Sequence, residues 1–270
     1  MTNTLRPLTV GELLDRTFFL YRRHFLLFVG IAALPNLIVL SFQLFQVVVA
    51  PRSLGGALMT LAWALVTIIV YFVTIAISQG ATIIAVSQIQ LEREATASGA
   101  FAAIRSRIGE IALVILGMGL RIFLGFLFFI IPGVYLAIVW SLTIPVVVLE
   151  GRDLPGALKR SASLTQGHRG RIFVIYFLLL VLVYIVMILV QVPVMVAIGI
   201  SAGASSTGEL PPSAEIIIAL SSFVTTSLVS PIVTIALSLV YYDERVRKEA
   251  FDLQHMLEEI DRSATPSPAA

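Results

Sequence analysis

Residues 151–180, GRDLPGALKRSASLTQGHRGRIFVIYFLLL, join a polar, basic segment directly to an apolar run. Such a join is typical of a chain that enters a membrane, because a helical span needs about 20 apolar residues and its basic flank stays at the headgroups. The whole chain agrees, since its 270 residues are 58% apolar and 13% charged, with a mean hydropathy of +0.99. The sequence therefore predicts one all-α, polytopic integral membrane domain over residues 1–262, with no room for a soluble enzyme domain.

Runs without charged residues define six predicted transmembrane helices. They cover about 25–50, 55–80, 111–130, 134–149, 172–198 and 215–241. The second helix is expected to leave the membrane near Ser78–Gly80, and Pro132-Gly133 is a turn signal that joins the third helix to the fourth. Beyond the sixth, a cytoplasmic helix is expected over about 242–260 and a disordered tail over 263–270.

The basic residues predict the orientation of the chain. Of the 18 lysines and arginines, only Arg52 and Arg121 lie outside the N-terminus, the even-numbered loops and the C-terminus. Because such residues stay in the cytoplasm, both termini are predicted to be cytoplasmic. A signal peptide is not expected, since the first apolar run follows more than 20 residues of charged sequence.

The segments before the first, third and fifth helices resemble one another. Each contains a short Gly-led sequence, namely Gly11-Glu12-Leu13, Gly99-Ala100-Phe101 and Gly156-Ala157-Leu158. Thr9 with Glu12 forms a capping box, while Thr96 or Ser98, and Asp153, can cap the other two helices. The pattern predicts an internal threefold repeat, in which an amphipathic interfacial helix precedes each of three transmembrane hairpins. The alternative is that these are ordinary basic anchors that share a tripeptide by chance.

An amphipathic helix in the headgroup plane places its basic residues near lipid phosphates. The candidate headgroup contacts are Arg16, Arg22, Arg23, Arg105, Arg107, Lys159, Arg160, Arg169 and Arg171. Anionic membrane lipids are therefore expected partners. Nucleic acid is not, because the basic residues are spread over membrane-proximal loops without aromatic stacking platforms.

Arg121 is the residue that most needs an explanation, because it falls within a predicted span. An arginine near the bilayer midplane costs about 2.5–3.5 kcal/mol on insertion scales, and such residues usually face a bundle interior or a wet cavity. One interpretation is an intramembrane polar site with Gln43, Gln46 and Gln191, which would bind an anion or a lipid headgroup. The other is that Arg121 snorkels or donates to backbone carbonyls near a kink.

Several segments together resemble a known family. They are LRPLTVGELLDRTFFLYRRHF near the start, IPGVYLAIVWSLTIPVVVLEG followed by GALKRSASLTQG, and YYDERVRKEAFDL near the end. In this order they resemble the bacterial membrane-domain family named after the membrane part of glycerophosphoryl diester phosphodiesterase. The resemblance implies a six-span helical protein of a prokaryotic plasma membrane, without an assigned activity. In the enzyme that gives the family its name, catalysis belongs to a separate soluble barrel, and nothing in this sequence matches that barrel.

The residues indicate no catalytic chemistry, cofactor or metal. No phosphate-binding glycine loop, nucleophile elbow or metal-spaced cluster occurs, and the chain has no cysteine. The favoured hypothesis is a non-catalytic membrane scaffold or accessory protein that interacts with anionic lipid and a partner protein or a second copy. A small transporter or lipid-binding permease component that uses Arg121 is the alternative, and an intramembrane enzyme is the weakest hypothesis.

Overall fold

The computed structural model describes residues 8–49, 57–202 and 211–264, which contain ten α-helices and no strand. The helices are α1 (Val10–Arg23), α2 (Phe25–Val49), α3 (Ala57–Gln90), α4 (Ala97–Ile104), α5 (Ile108–Phe128), α6 (Ile130–Val139), α7 (Thr143–Glu150), α8 (Leu154–Thr165), α9 (Arg169–Ala202) and α10 (Pro212–Ala264). A 3-10 turn, Arg105–Arg107, joins α4 to α5. The first two residues of the predicted tail, 263 and 264, belong to α10, and the other residues of the tail lie outside the described residues.

Six helical stretches are long and apolar enough to cross a membrane, which confirms the predicted fold class. They are Phe25–Val47, Leu61–Gln90, Ala97–Phe128, Ile130–Glu150, Arg169–Gly199 and Pro212–Glu249. Most of the side chains along them face outward, as expected for helices whose solvent is lipid. The chain is a multi-pass membrane protein.

The three short helices α1, α4 and α8 begin with side-chain N-caps. Thr9, Thr96 and Asp153 accept the backbone N–H of the residue three positions on, at 3.3, 3.2 and 3.2 Å. The Glu12 carboxylate also accepts the Thr9 N–H at 2.8 Å, which completes the predicted capping box. These caps are local features, so the sequence was sufficient to locate them.

Counting from the caps shows a register common to the three helices. The residues four positions after the cap, Leu13, Ala100 and Ala157, are all fully buried. The residues eight positions after it are also buried, namely Thr17, Ile104 and Ser161. By this count Gly99 and Gly156 occupy the position of Glu12, three residues after the cap. The comparison of the tripeptides had instead aligned them with Gly11, one position earlier. The threefold repeat has a structural basis in this pattern of caps and buried positions.

The buried faces of the short helices pack against the protein itself. The Tyr21 hydroxyl donates to the Leu228 carbonyl at 2.9 Å, so α1 runs beside α10. Arg16 donates to the Gln90 side chain at the end of α3, at 2.9 Å. The apolar faces expected to enter the lipid interface are therefore part of the hydrophobic core. The physical reason is that other helices of the protein offer apolar surface to these faces: α10 to α1, α3 to α4, and α7 to α8.

Consecutive long helices contact each other in antiparallel pairs. Gln46 donates to the Thr67 hydroxyl at 3.1 Å, which joins α2 to α3. Gln191 donates to the Ser222 hydroxyl at 3.3 Å, which joins α9 to α10. In the α5–α6 pair, Gly133 faces the ring of Phe126, and a Cβ at this glycine would overlap that ring. Helix α2 also packs along α10, and the inner parts of the three pairs belong to one shared core.

The helices differ from the predicted spans in two places. The predicted span 134–149 is interrupted at residues 140–142, between α6 and α7. The turn after α5 is centred on Phe129, so that Pro132-Gly133 lies inside the first turns of α6, where proline needs no donor. As expected, α3 and α10 both continue as single helices beyond the predicted membrane boundaries. In α3, Gly80 lets the helix pack closely against Ile104 and Ile111.

Candidate functional site

A buried cluster of charged residues joins α9, α10 and the chain before α1. Asp243 accepts the Leu8 N–H at 2.7 Å and contacts Arg171 and Arg247 at 2.7 and 2.9 Å. The same two arginines donate to the Leu8 carbonyl, at 2.7 and 2.6 Å. Both backbone groups of Leu8 are thus bound by side chains. We call Leu8, Arg171, Asp243 and Arg247 the Leu8 clamp.

Glu244 extends the clamp toward the start of α9. Its side chain is fully buried, with one oxygen 2.7 Å from Arg171 Nη1 and the other 2.8 Å from His168 Nδ1. A buried carboxylate is costly unless it is paired and hydrogen-bonded, and Arg171 is the charged partner of Glu244 in this site. The clamp and Glu244 together hold α9, α10 and the N-terminal segment in one arrangement.

A second ionic network lies around Glu150 at the end of α7. Its carboxylate accepts hydrogen bonds from Arg160 at 3.0 Å, Arg152 at 2.8 Å and the Tyr241 hydroxyl at 3.0 Å. Arg160 also binds Glu249 at 2.7 Å. Burial works against the charged guanidinium, but its hydrogen bonds to Glu150 and Glu249 outweigh burial and raise the pKa of Arg160. This network fixes α7 and α8 against α10.

The break between α6 and α7 is covered by side chains from α8 and α9. Ser161 accepts the Leu142 N–H at 3.2 Å and donates to the Val139 carbonyl at 2.9 Å. The Tyr176 hydroxyl donates to the Ser141 carbonyl at 3.0 Å. Irregular backbone that is buried in the protein requires partners of this kind, because no water reaches its polar groups.

Arg107 binds the other end of α7. Its guanidinium donates to the Val147 carbonyl at 2.9 Å and to the Val148 carbonyl at 3.4 Å. These carbonyls belong to the last turn of α7, where the helix dipole favours a cation. Gly151 ends the helix with a φ of 70°, the left-handed conformation in which glycine has no Cβ penalty.

The predicted headgroup residues divide into two groups. Arg107, Arg160 and Arg171 bind carboxylates or carbonyls inside the protein, Arg16 binds Gln90, and Arg169 binds the Tyr135 hydroxyl. By contrast, Arg22, Arg23, Arg105 and Lys159 are exposed. Arg23 lies 5.9 Å from the Phe19 ring centroid, and the other three have no hydrogen bond or ion pair to a described residue. Only the exposed group is free to contact lipid phosphates.

The described contacts do not bring Arg121 together with the predicted glutamines. Arg121 is exposed, and its Nη1 donates to the Gly117 carbonyl of its own helix at 2.7 Å. Gln46 and Gln191 bind hydroxyl groups within their own helix pairs, and Gln43 is half-buried on α2. This geometry is the carbonyl-bound arrangement that was the second interpretation of Arg121.

Sequence reasoning missed the Leu8 clamp. Its acidic members lie in the stretch Tyr241-Tyr242-Asp243-Glu244, directly after an apolar run, where charged residues normally mark exit into water. The signal that could have indicated burial is the pair of adjacent carboxylates between tyrosines and arginines. No group of three or more His, Cys, Asp or Glu side chains that could hold a metal ion occurs in the part of the chain that the structure describes.

These features define a class of protein: a multi-pass helical membrane domain whose long helices pack with short capped helices and buried ion pairs in one core. A family model described as the membrane domain of glycerophosphoryl diester phosphodiesterase matches residues 114–264, more than half of the 270 residues. The chain belongs to this family, as the sequence had suggested. Comparisons with curated proteins and with solved structures gave no match.

Proposed function

We propose that the chain is a non-catalytic scaffold or accessory protein of a prokaryotic plasma membrane, with both termini in the cytoplasm. It would hold anionic lipid and a partner protein through the core of short helices. The observation that supports this role is the division of the basic residues. Arg107, Arg160 and Arg171 stabilise the core, whereas Arg22 and Lys159 are exposed and available to phosphate groups.

The family supports an accessory role, because its description names the membrane part of an enzyme. A membrane part without catalytic groups of its own can position a catalytic partner at the lipid surface where its substrate lies. The rigid, internally paired core suits this task, since buried ion pairs fix one arrangement of the helices from which a partner can dock. A second copy of the chain is the other partner that this proposal includes.

The test is native mass spectrometry of the protein after gentle extraction from its own membrane. A triple variant, Arg22→Gln, Arg105→Gln and Lys159→Gln, removes exposed basic residues, and Arg121→Leu is the matched control. We expect wild type and Arg121→Leu to carry anionic phospholipid and the same protein partner, and the triple variant to lose the lipid. If only Arg121→Leu loses a bound molecule, the alternative of a transporter or lipid-binding permease component with a site at Arg121 replaces the scaffold role. If no form carries anionic lipid or a partner, the scaffold proposal is wrong.

A further inference from the structure

The turn between α5 and α6 presents large apolar side chains to its surroundings. Leu127, Phe128, Phe129, Ile130 and Ile131 are 67–81% exposed. Residues 122–134 contain no polar or charged side chain at all. In water this would be a contiguous apolar patch of the kind that drives aggregation. The surface therefore needs an apolar environment around the whole turn, including its outermost residue.

Tyr135 indicates the level at which this turn enters the membrane. Its hydroxyl accepts a hydrogen bond from Arg169 Nη1 at 2.7 Å, and the Arg169 guanidinium lies 5.2 Å from its ring centroid. Arg169 is the first residue of α9, and Arg171 beside it belongs to the Leu8 clamp. A basic helix start next to buried acids lies at the headgroups, and tyrosine is enriched at the same level. Tyr135 is thus at the membrane interface.

Helix geometry limits how deep the turn can reach. A helix rises about 1.5 Å per residue, so Phe129 lies only about 9 Å beyond Tyr135. The hydrocarbon core is about 30 Å thick, which means that α6 reaches about a third of the way across. On α5, Arg121 donates to Gly117, one turn back from the tip, which is the direction in which an arginine snorkels toward the headgroups. For α6, this geometry limits the tip to a shallow depth.

Part of the backbone at the turn is paired within the turn. The Phe129 N–H donates to the Gly125 carbonyl at 3.2 Å, and the Gly133 N–H donates to the Phe129 carbonyl at 3.3 Å. Pro132 has no N–H to satisfy. This pairing lowers the cost of placing the turn among acyl chains, because lipid offers no hydrogen bonds.

We infer that α5 and α6 form a re-entrant hairpin, whose tip, residues 122–134, lies among the acyl chains of the leaflet next to the start of α9. The apolar stretches that contain them, Ala97–Phe128 and Ile130–Glu150, are long enough to cross, but in this arrangement α5 and α6 return to the face from which they entered. A re-entrant hairpin removes two crossings from the predicted six. The number of crossings stays even, so both termini remain on the same side of the membrane. This inference depends on the membrane location of the chain and is independent of the scaffold role.

The experiment uses single-cysteine variants of the full chain, which has no native cysteine. Phe129→Cys reports on the tip, Ser98→Cys on the start of α4, and Ser206→Cys on the connection between α9 and α10. Each is treated with a membrane-impermeant maleimide in sealed vesicles of both orientations. We expect Ser98→Cys to react in one orientation, Ser206→Cys in the other, and Phe129→Cys in neither until detergent is added.

A nitroxide attached at the tip then measures its depth. We expect high accessibility to dissolved oxygen, low accessibility to a water-soluble nickel chelate, and a position in the leaflet on the Ser98 side. Maleimide reaction from the Ser206 side, or a nitroxide in that leaflet, would show a full crossing and overturn the inference. Reaction from the Ser98 side would show a tip in water and overturn it as well. Ile131→Cys serves as a second variant if Phe129→Cys does not fold, and none of these results depends on headgroup binding.

Discussion

Asp243 illustrates at the residue scale how one buried charge holds distant segments together. Its carboxylate contacts the backbone of Leu8, the start of α9 through Arg171, and its own helix through Arg247. If Asp243 is neutralised, Arg247 loses its charge partner and Arg171 keeps only Glu244, while both arginines remain largely buried. Removing one member of such a pair costs more than the pair contributes, because the other member stays desolvated.

We therefore expect Asp243→Asn to destabilise the protein strongly. Breaking a buried ion pair from one side costs about 3–5 kcal/mol, and asparagine preserves the shape while removing the charge. The measurement is thermal unfolding in detergent. Asp15→Asn is the control, because Asp15 is exposed on α1. Equal melting temperatures for the two variants would show that the clamp does not stabilise the fold.

A glycine in the α5–α6 pair allows a test of close packing. The Cβ that Gly133→Ala adds would overlap the ring of Phe126, whereas a Cβ at Gly119 meets no atom within 4 Å. Overpacking of this kind costs about 1–3 kcal/mol, so Gly133→Ala should lower the melting temperature. Gly119→Ala should leave it unchanged or raise it, because alanine favours a helix by up to about 1 kcal/mol. The same response in both variants would contradict the contact.

Residue-scale features divide clearly by whether they are local in sequence. The capping box of Thr9 and Glu12 was predictable, because both partners lie within one turn. The role of Asp243 was not, because its partner Leu8 is more than 200 residues away. The hydrogen bond of Arg121 to the Gly117 carbonyl was not predictable either, because several nearby carbonyls could have been the acceptor.

At the scale of elements, the break between α6 and α7 shows how one helix can depend on another. Hydropathy indicates a single apolar stretch over residues 134–149, and no local signal fixes a break at Ser141. The break is compensated by hydroxyl groups of α8 and α9. Ser161 and Thr165 lie among the buried positions of α8, and two hydroxyl side chains on a buried face were the available sign that this face makes hydrogen bonds.

Ser161→Ala should selectively weaken this break. It leaves the Leu142 N–H without its acceptor, and an unpaired buried polar group costs about 1–3 kcal/mol. Hydrogen exchange should rise in peptides that cover residues 139–143. Ser163→Ala is the matched control, because the exposed Ser163 hydroxyl bonds only to a carbonyl of its own helix. An unchanged exchange rate in Ser161→Ala would show that α8 does not stabilise the break between α6 and α7.

For the whole molecule, the three short helices meet in one hydrophobic core. Leu13 of α1, Ala100 of α4 and Ala157 of α8 all belong to it, together with Ile175 of α9. The fold class and the number of apolar stretches followed from composition and charge, which are global properties. The way the units join depends on contacts between distant segments, which the sequence did not indicate.

This shared core predicts that the units unfold together. Leu13→Ala removes a fully buried side chain, at a cost of about 2–5 kcal/mol. Protection from hydrogen exchange should fall in α4 and α9 as well as in α1. Leu26→Ala, at a position 84% exposed, should have no such effect. Loss of protection confined to α1 would show that the units are energetically separate.

The Leu8 clamp also has a consequence for how the protein is made. Leu8 is synthesised more than 200 residues before its partners Asp243 and Arg247. At about 5–20 residues per second, the ribosome needs on the order of ten to forty seconds to reach them. Helix α1 must therefore remain without its partner during most of translation. Its amphipathic pattern suits this interval, because such a helix can rest on the membrane surface until α10 emerges and completes the core.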